Sequence, residues 1–219
     1  MLRPLSIAAL LALASACASS KYDGEPFGEL TDASLAPLHD ASELDPDLAP
    51  VPYTPEELRA ALSNGYRVFD LTGDEEYARM RFHYYDSDEL GTGLEELYDD
   101  FEGNTGFDAF QLEHTWEDLV LYDAFPAAGT TISMGRAHTA AGSFDCWVYM
   151  YAEPAFDFDE LDDPDALADF DALTDLEELN TYEYYYAVDL PGPPVLALER
   201  DSSGTIVYSV ALSSYSPEL

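Results

Sequence analysis

Hydrophobic and polar positions in the middle of the chain predict two short helices. Thr54 suits a helix N-cap, Pro55 suits the first helical position, and Glu57 completes a capping box ahead of an apolar stripe. A second capping signal at Thr115 precedes an apolar segment that ends before Pro126. We therefore predict one helix that begins at residue 55 and ends near residue 65, and a second over 116–124.

Between these helices the apolar period changes from 3.6 to two, which indicates β-strands. In the segment 77–85, Ala78, Met80 and Phe82 fall on one face, and two arginines and a histidine fall on the other. The segment 108–114 alternates in the same way and places Phe110 and Leu112 on one face. We expect these five side chains to share one apolar surface. Four of them are the predicted ligand-binding residues: Met80, Phe82, Phe110 and Leu112.

The last third of the chain is typical of an antiparallel meander. Its alternating segments are separated by turn sequences, and they cover 144–151, 182–188, 195–199 and 206–212. Aromatic residues on both faces of these strands indicate that parts of the sheet are covered on both sides. The predicted class is α+β. It consists of a curved antiparallel β-sheet, either an open half-barrel or a meander, with two or more short helices packed on it.

The first 17 residues have the three parts of an export signal. Arg3 supplies the positive charge, residues 5–13 supply a short apolar run, and small residues precede Cys17. The apolar run is much shorter than the roughly 20 residues that a membrane-spanning helix needs. We therefore predict a signal peptide over residues 1–16.

The residues around the predicted cleavage point, Leu13-Ala14-Ser15-Ala16-Cys17, resemble the lipobox of bacterial lipoproteins. The resemblance implies that the Cys17 thiol is diacylglycerated and that acyl chains attach the protein to a membrane. It also implies an outer-membrane destination, because no aspartate retention signal follows the cysteine. Ala14 stands where the family prefers leucine, so the alternative is cleavage after Ala16 and release of a secreted, soluble protein.

Charge limits what the chain can bind. Eight Lys and Arg residues against 45 Asp and Glu residues give a formal charge of −37, which repels phosphate backbones and anionic headgroups. Nucleic-acid binding and polybasic membrane attachment are therefore excluded. Hydrophobic residues at 47% are still sufficient for a packed core. Abundant acids beside a single lysine resemble the halophilic composition of proteins from salt-adapted organisms, in which salt screens the repulsion between carboxylates.

Many of the acids fall in segments that we interpret as irregular. Residues 17–51 are predicted to form a lipidated, proline-rich tether, and residues 52–219 a single domain with acidic insertions at about 86–106 and 152–180. The second insertion contains seven aspartates from Asp157 to Asp171, whose oxygens suit Ca²⁺. Because no glycine lies among them, an EF-hand loop is excluded. The alternatives are a nonstandard calcium site or a solvated acidic loop.

The sequence contains no other catalytic or metal-binding signature. Its four histidines and two cysteines lack the spacing of a zinc site, and Cys146 shares an apolar face with Phe144 and Val148. No nucleophile elbow and no phosphate-binding glycine loop occur. We therefore expect a non-enzymatic protein with no catalytic residue, and no metal or cofactor apart from the candidate calcium site.

Two groups of residues each have two interpretations. Arg67, Arg79 and Arg81 lie on neighbouring predicted strands, where they either bind an anionic ligand or pair with cross-strand acids such as Asp70 or Glu113. The sixteen tyrosines either line a groove for a glycan or lipid, or form an aromatic core with hydroxyls at its edge. For both groups the structural interpretation is the more common one in proteins.

The last third of the chain combines three features. A glycine-led strand starts at Gly142, an aromatic strand covers 184–187, and a proline-rich turn covers 189–195. This combination resembles a loose class of uncharacterised β-rich extracytoplasmic bacterial proteins, although the acidic insertion before Tyr182 departs from it. Some members resemble the open half-barrels of lipoprotein carriers such as LolA. That resemblance implies a curved sheet that cradles acyl chains.

Together these patterns predict a lipid-anchored extracytoplasmic protein that binds an apolar ligand or a partner protein without catalysis. The alternative is a salt-adapted surface or structural module that has no small-molecule ligand. A cavity beside the apolar strand face favours the first hypothesis, and a filled interface between sheet and helices favours the second.

Overall fold

The computed structural model describes residues 23–26, 38–41, 45–74, 76–87, 91–122, 124–154 and 179–216. Its helices are α1 (Pro55–Leu62) and α2 (Trp116–Tyr122). Its strands are β1 (Asp23–Pro26), β2 (Tyr66–Thr72), β3 (Tyr77–Ser87), β4 (Gly91–Asp100), β5 (Thr105–His114), β6 (Thr131–Thr139), β7 (Gly142–Pro154), β8 (Leu179–Ala187), β9 (Leu196–Arg200) and β10 (Ile206–Ser216).

Both helices begin where the sequence predicts, because each has a reciprocal cap. At α1 the Glu57 amide donates to the Thr54 hydroxyl at 3.2 Å, and the Thr54 amide donates to the Glu57 carboxylate at 2.8 Å. At α2 the Asp118 amide donates to the Thr115 hydroxyl at 3.0 Å, and the Thr115 amide donates back to Asp118 at 3.0 Å. These bonds satisfy backbone donors that a helix N-terminus leaves unpaired.

The strands form one open antiparallel sheet in the order β1-β6-β7-β8-β9-β10-β2-β3-β4-β5. Two meanders, β2 to β5 and β6 to β10, are each consecutive in the chain. They join where the last strand, β10, pairs with β2, with Val210 opposite Leu71. The predicted fold class, an antiparallel sheet with short helices packed on it, is confirmed.

The sheet is curved and has a hydrophobic core on each face. The Ala141 amide, in the turn between β6 and β7, donates to the Leu212 carbonyl of β10 at 3.3 Å, although three strands separate β6 from β10 in the sheet. Trp147 and Tyr149 of β7 pack with the helices, whereas Cys146 and Val148 of the same strand belong to the other core. The alternation that the sequence shows in this strand therefore separates two cores.

The first acidic insertion proves to be regular structure. Residues 86–106 were expected to form a loop, but β3 continues to Ser87, and β4 pairs with both β3 and β5. The abundant acids conceal an alternation in which Leu94 is buried. A cross-strand bond from Arg81 to Asp99, 2.7 Å long, compensates one of the acids. For the second insertion, residues 155–178 lie outside the described residues.

Part of the expected tether packs against the domain. Residues 23–26 form β1 at the edge of the sheet beside β6, and Ala41, Ala49 and Val51 are buried in the core that contains the helices. The Ala49 amide donates to the Phe125 carbonyl at 2.8 Å. Small side chains fit this interface without forming a recognisable apolar period. The described part of this segment therefore differs from an extended tether.

Candidate functional site: an apolar cavity between the helices and the sheet

A cavity of about 180 Å³ lies between the two helices and the sheet. Its walls come from the segment before α1, from both helices, from strands of both meanders, and from the turn between β8 and β9. The lining residues are almost all aliphatic, aromatic or proline: Val51, Pro52, Tyr53, Leu58, Leu62, Phe69, Met80, Phe82, Tyr84, Leu94, Leu119, Val120, Tyr184, Tyr186, Gly192, Pro193, Pro194, Ala197 and Val210.

The volume of the cavity limits the ligand to a small apolar group. An apolar protein cavity of about 150 Å³ stays dry and binds benzene or xenon. Pockets for larger organic ligands measure roughly 300 to 1,000 Å³. A cavity of about 180 Å³ therefore suits one aromatic ring or a short alkyl segment, and it is too small to enclose a complete lipid.

Two of the four predicted ligand-binding residues, Met80 and Phe82, line this cavity. Ala78, which was expected on the same face, is not among the described lining residues. A register shift between Tyr77 and Arg79 interrupts the pairing of β3 with β4 at that point. Phe110 and Leu112 lie on β5 with their backbones opposite Glu96 and Leu94, and their side chains lie outside the described part of the structure.

The other walls of the cavity could not be assigned from local sequence pattern. Ala197 and Val210 come from the second meander and reach the cavity because β10 pairs with β2. Tyr53 comes from the segment before α1, where no alternation marks it. The proline-rich turn at 191–194 is visible in the sequence as a turn, but its position over the cavity depends on the fold.

The hydroxyl of Tyr53, which lines the cavity, remains uncharged. Tyr53 is 6% exposed, and its hydroxyl donates to the Ala187 carbonyl at 2.6 Å. Burial holds the pKa of this phenol well above its ordinary value, so the hydroxyl stays protonated. The bond also connects the segment before α1 to β8. The hydroxyl of Tyr149 makes a similar connection by donating to the Pro50 carbonyl.

A buried positive charge lies beside the cavity wall. Arg67 of β2 is only 2% exposed, and desolvation lowers the pKa of its guanidinium. One terminal nitrogen donates to the Tyr66 carbonyl at 3.1 Å, and the other makes long bonds to the carbonyls of Ala61 at 3.4 Å and Pro191 at 3.5 Å. The guanidinium carbon is 5.4 Å from the centre of the Tyr215 ring. Among the described residues, no carboxylate forms an ion pair with it.

The opposite face of β2 to β4 carries a polar groove of about 740 Å³. Arg79 in this groove lies 3.4 Å from Asp70, in agreement with the cross-strand interpretation of the arginines. Arg81 pairs with Asp99, which lies on β4. Since both guanidinium groups already have carboxylate partners, this groove has little free positive charge with which to hold an anion.

The described residues contain no cluster of three or more His, Cys, Asp or Glu side chains that could hold a metal ion. Cys146 is fully buried, and burial raises the pKa of its thiol to about 12, as expected for an inert cysteine. The aspartates from Asp157 to Asp171, the candidate calcium ligands, lie outside the described residues, and so does Cys17. No described helix has the length and apolarity needed to cross a membrane.

Comparisons with known proteins leave the family open. No family model matches the chain, and no curated protein matches it. Two solved structures are similar to it: a protein classed as a lipoprotein from Parabacteroides distasonis (10% identity, TM-score 0.38) and one classed as exported, with a YmcC-like fold, from Bacteroides fragilis (12% identity, TM-score 0.37). Each match covers 71% of this chain and 96% of the other. These TM-scores are too low to transfer a fold or an activity.

Proposed function

We propose that this protein is an exported, lipid-anchored binding protein that takes a small apolar group into the cavity between its helices and its sheet, without catalysis. The observation that carries the proposal is the cavity itself, about 180 Å³ in volume and lined by apolar side chains. Met80 and Phe82, which the alternation of β3 assigns to an apolar surface, both line it. Export and anchoring rest on the signal-peptide pattern that ends at Cys17.

The cavity volume sets the size of the ligand. A carrier that shields whole acyl chains needs far more enclosed space than the cavity offers. We therefore propose that the protein recognises the end of a chain or a single ring, either free or as part of a larger molecule. A protein partner that inserts one apolar side chain meets the same requirement.

The direct test uses the methionine methyl groups as reporters. Met80 lines the cavity, whereas Met134 and Met150 do not, and Met1 belongs to the predicted signal peptide. The chain from residue 18 onward, labelled with ¹³C at its methionine methyls, is titrated with benzene and with 1-hexanol. We expect a saturable chemical-shift change at Met80 and smaller changes at the two control methyls.

The outcome separates the two hypotheses of function. Saturable binding at Met80 supports a ligand site. If neither probe shifts the Met80 methyl at concentrations near their solubility, the cavity is a packing defect. The salt-adapted structural module is then the better account.

Lipid attachment has its own test. The full chain is expressed in a bacterium that processes lipoproteins, and the mature product is weighed as an intact protein. We expect residue 17 to carry diacylglycerol and an acylated amine, and a Cys17→Ala variant to lack both. A wild-type product that begins at residue 17 without added lipid would refute the anchoring proposal and favour secretion.

A further inference from the structure

We infer that the ligand of the cavity is an anion, a short carboxylate whose headgroup pairs with Arg67 while its alkyl or aryl body fills the apolar space. The inference rests on the proposed function, because it names the chemical class of the ligand for the same cavity.

The first observation is that Arg67 differs from four other arginines on the strands. Arg79, Arg81, Arg136 and Arg200 each lie within 3.4 Å of a carboxylate, and the partners are Asp70, Asp99, Asp145 and Glu183. Arg67 is the most buried described arginine, yet it has no carboxylate partner in the described residues. In a chain with 45 acidic residues, an arginine that is buried without an acid is unexpected.

Backbone groups compensate this charge only in part. The Ala61 carbonyl lies in the last turn of α1, so the helix C-terminus offers Arg67 a partial negative charge. The two bonds from that terminal nitrogen are 3.4 and 3.5 Å long, at the weak end of the hydrogen-bond range. Nε makes no hydrogen bond to a described residue. This nitrogen uses both of its N–H groups in the two long bonds, so only the Nε–H of the edge is unused, and a bidentate acceptor would replace one of the long bonds.

The second observation is that this edge faces the cavity wall at Gly192. Gly192 and Leu62 both line the cavity. A Cβ atom built on Gly192 would lie 3.2 Å from Leu62, 3.7 Å from Nε of Arg67 and 3.9 Å from its terminal nitrogen Nη2. Because glycine has no side chain, only the backbone of residue 192 covers the Nε and Nη2 edge of the Arg67 guanidinium. Arg67 itself does not line the cavity, so its pairing with a headgroup requires the turn at 191–194 to move away from this edge.

A carboxylate suits this arrangement because it is planar and small. Its two oxygens fit the planar edge of an arginine side by side, and its size leaves the apolar volume for the body of the ligand. The net charge of −37 repels anions from the surface as a whole. A preference for an anion over a neutral analogue therefore requires a local positive group, and Arg67 is the described arginine nearest the cavity without an acidic partner.

The test compares three ligands that each have six carbon atoms and carry different headgroups: hexanoate, 1-hexanol and hexylammonium. Their dissociation constants are measured at pH 7 from the Met80 methyl shift of the wild-type chain from residue 18 onward. We expect hexanoate to bind about tenfold more tightly than 1-hexanol, since a hydrogen bond to a charged group is stronger than one between neutral groups. We expect hexylammonium to bind more weakly than 1-hexanol.

Two variants assign the preference to a residue. Arg67→Gln removes the charge beside the cavity, and Arg79→Gln makes the same change in net charge on the opposite face, where Arg79 is half exposed. We expect the hexanoate preference to disappear in Arg67→Gln and to persist in Arg79→Gln. If Arg67→Gln does not fold, the headgroup series in the wild-type protein still decides the question.

The possible results are distinct. Equal affinity for hexanoate and 1-hexanol overturns this inference and leaves the apolar site intact. A hexanoate preference that survives in a folded Arg67→Gln variant also overturns it. Absence of binding by all three ligands refutes the proposed function, and the inference falls with it.

Discussion

Ala197→Leu tests whether the cavity is real and available to a ligand. Ala197 lies on β9, opposite Tyr184 on one side and Val210 on the other, and all three residues line the cavity. Leucine adds three carbon atoms at this position. Since a cavity of about 150 Å³ accommodates the six carbons of benzene, a cavity of about 180 Å³ has room for them.

The expected gain in stability follows from the apolar surface that the new carbons bury. Three methylene-sized groups contribute up to about 2.4 kcal/mol, at about 0.8 kcal/mol each. Immobilising the leucine side chain costs about 0.5 to 1 kcal/mol. We therefore expect the free energy of unfolding to rise by about 1 to 2 kcal/mol, in the range usual for filled cavities. The affinity for 1-hexanol should fall at least about tenfold, because the added side chain occupies the same space.

The measurement is urea denaturation followed by tryptophan fluorescence, together with the Met80 titration. The control is Ala152→Leu on β7, where the side chain is exposed and the same atoms gain little burial. A destabilised Ala197→Leu variant would show that the cavity has no room for the side chain, since overpacking costs about 1 to 3 kcal/mol. A stabilised variant with unchanged affinity for 1-hexanol would place the binding site elsewhere.

Three further predictions concern stability. Tyr53→Phe should lower the free energy of unfolding by about 0.5 to 1.5 kcal/mol, because it removes a buried hydrogen bond and leaves the Ala187 carbonyl with the 3.2 Å bond from the Leu190 amide. Tyr66→Phe, at a 38% exposed side chain, is the matched control, and equal losses in the two would contradict the role of the bond. Stability should fall at alkaline pH, because burial raises the pKa of Cys146 to about 12 from 9.0 and raises the pKa of the Tyr149 phenol above 10.0. The folded state keeps these protons at pH values where the unfolded state has lost them, so the stabilisation from the two groups is complete below pH 9 and is lost as the pH rises through the folded-state pKa values. Urea midpoints between pH 8 and 11 measure this loss of stability, and a flat profile would refute the prediction. The melting temperature should rise from low salt to molar salt, because screening reduces repulsion within a chain of charge −37, and a constant or falling value would contradict the salt-adapted interpretation.

Features that depend on neighbouring residues could be predicted from the sequence. The capping boxes at Thr54 and Thr115 form as expected, because their donors and acceptors lie three residues apart. The alternation around Cys146 assigns side chains to two faces, and the two cores are on those faces. Where acids dominate the composition, local pattern does not reveal the structure: β4 has too few apolar positions to show a strand period.

The binding site, by contrast, depends on the tertiary structure. Met80 and Phe82 could be placed on an apolar surface from β3 alone, but that surface becomes a cavity wall only because β10 pairs with β2 and brings Ala197 and Val210 to the same cavity. That pairing joins residues about 140 positions apart in the chain, and no local pattern encodes its register. The environment of Arg67 is decided in the same way. The sequence determined that this arginine lies on a strand among acids, but only the packing of α1 and of the turn at Gly192 over it keeps the protein's own carboxylates away, because burial depends on side chains from distant segments that fill the same space.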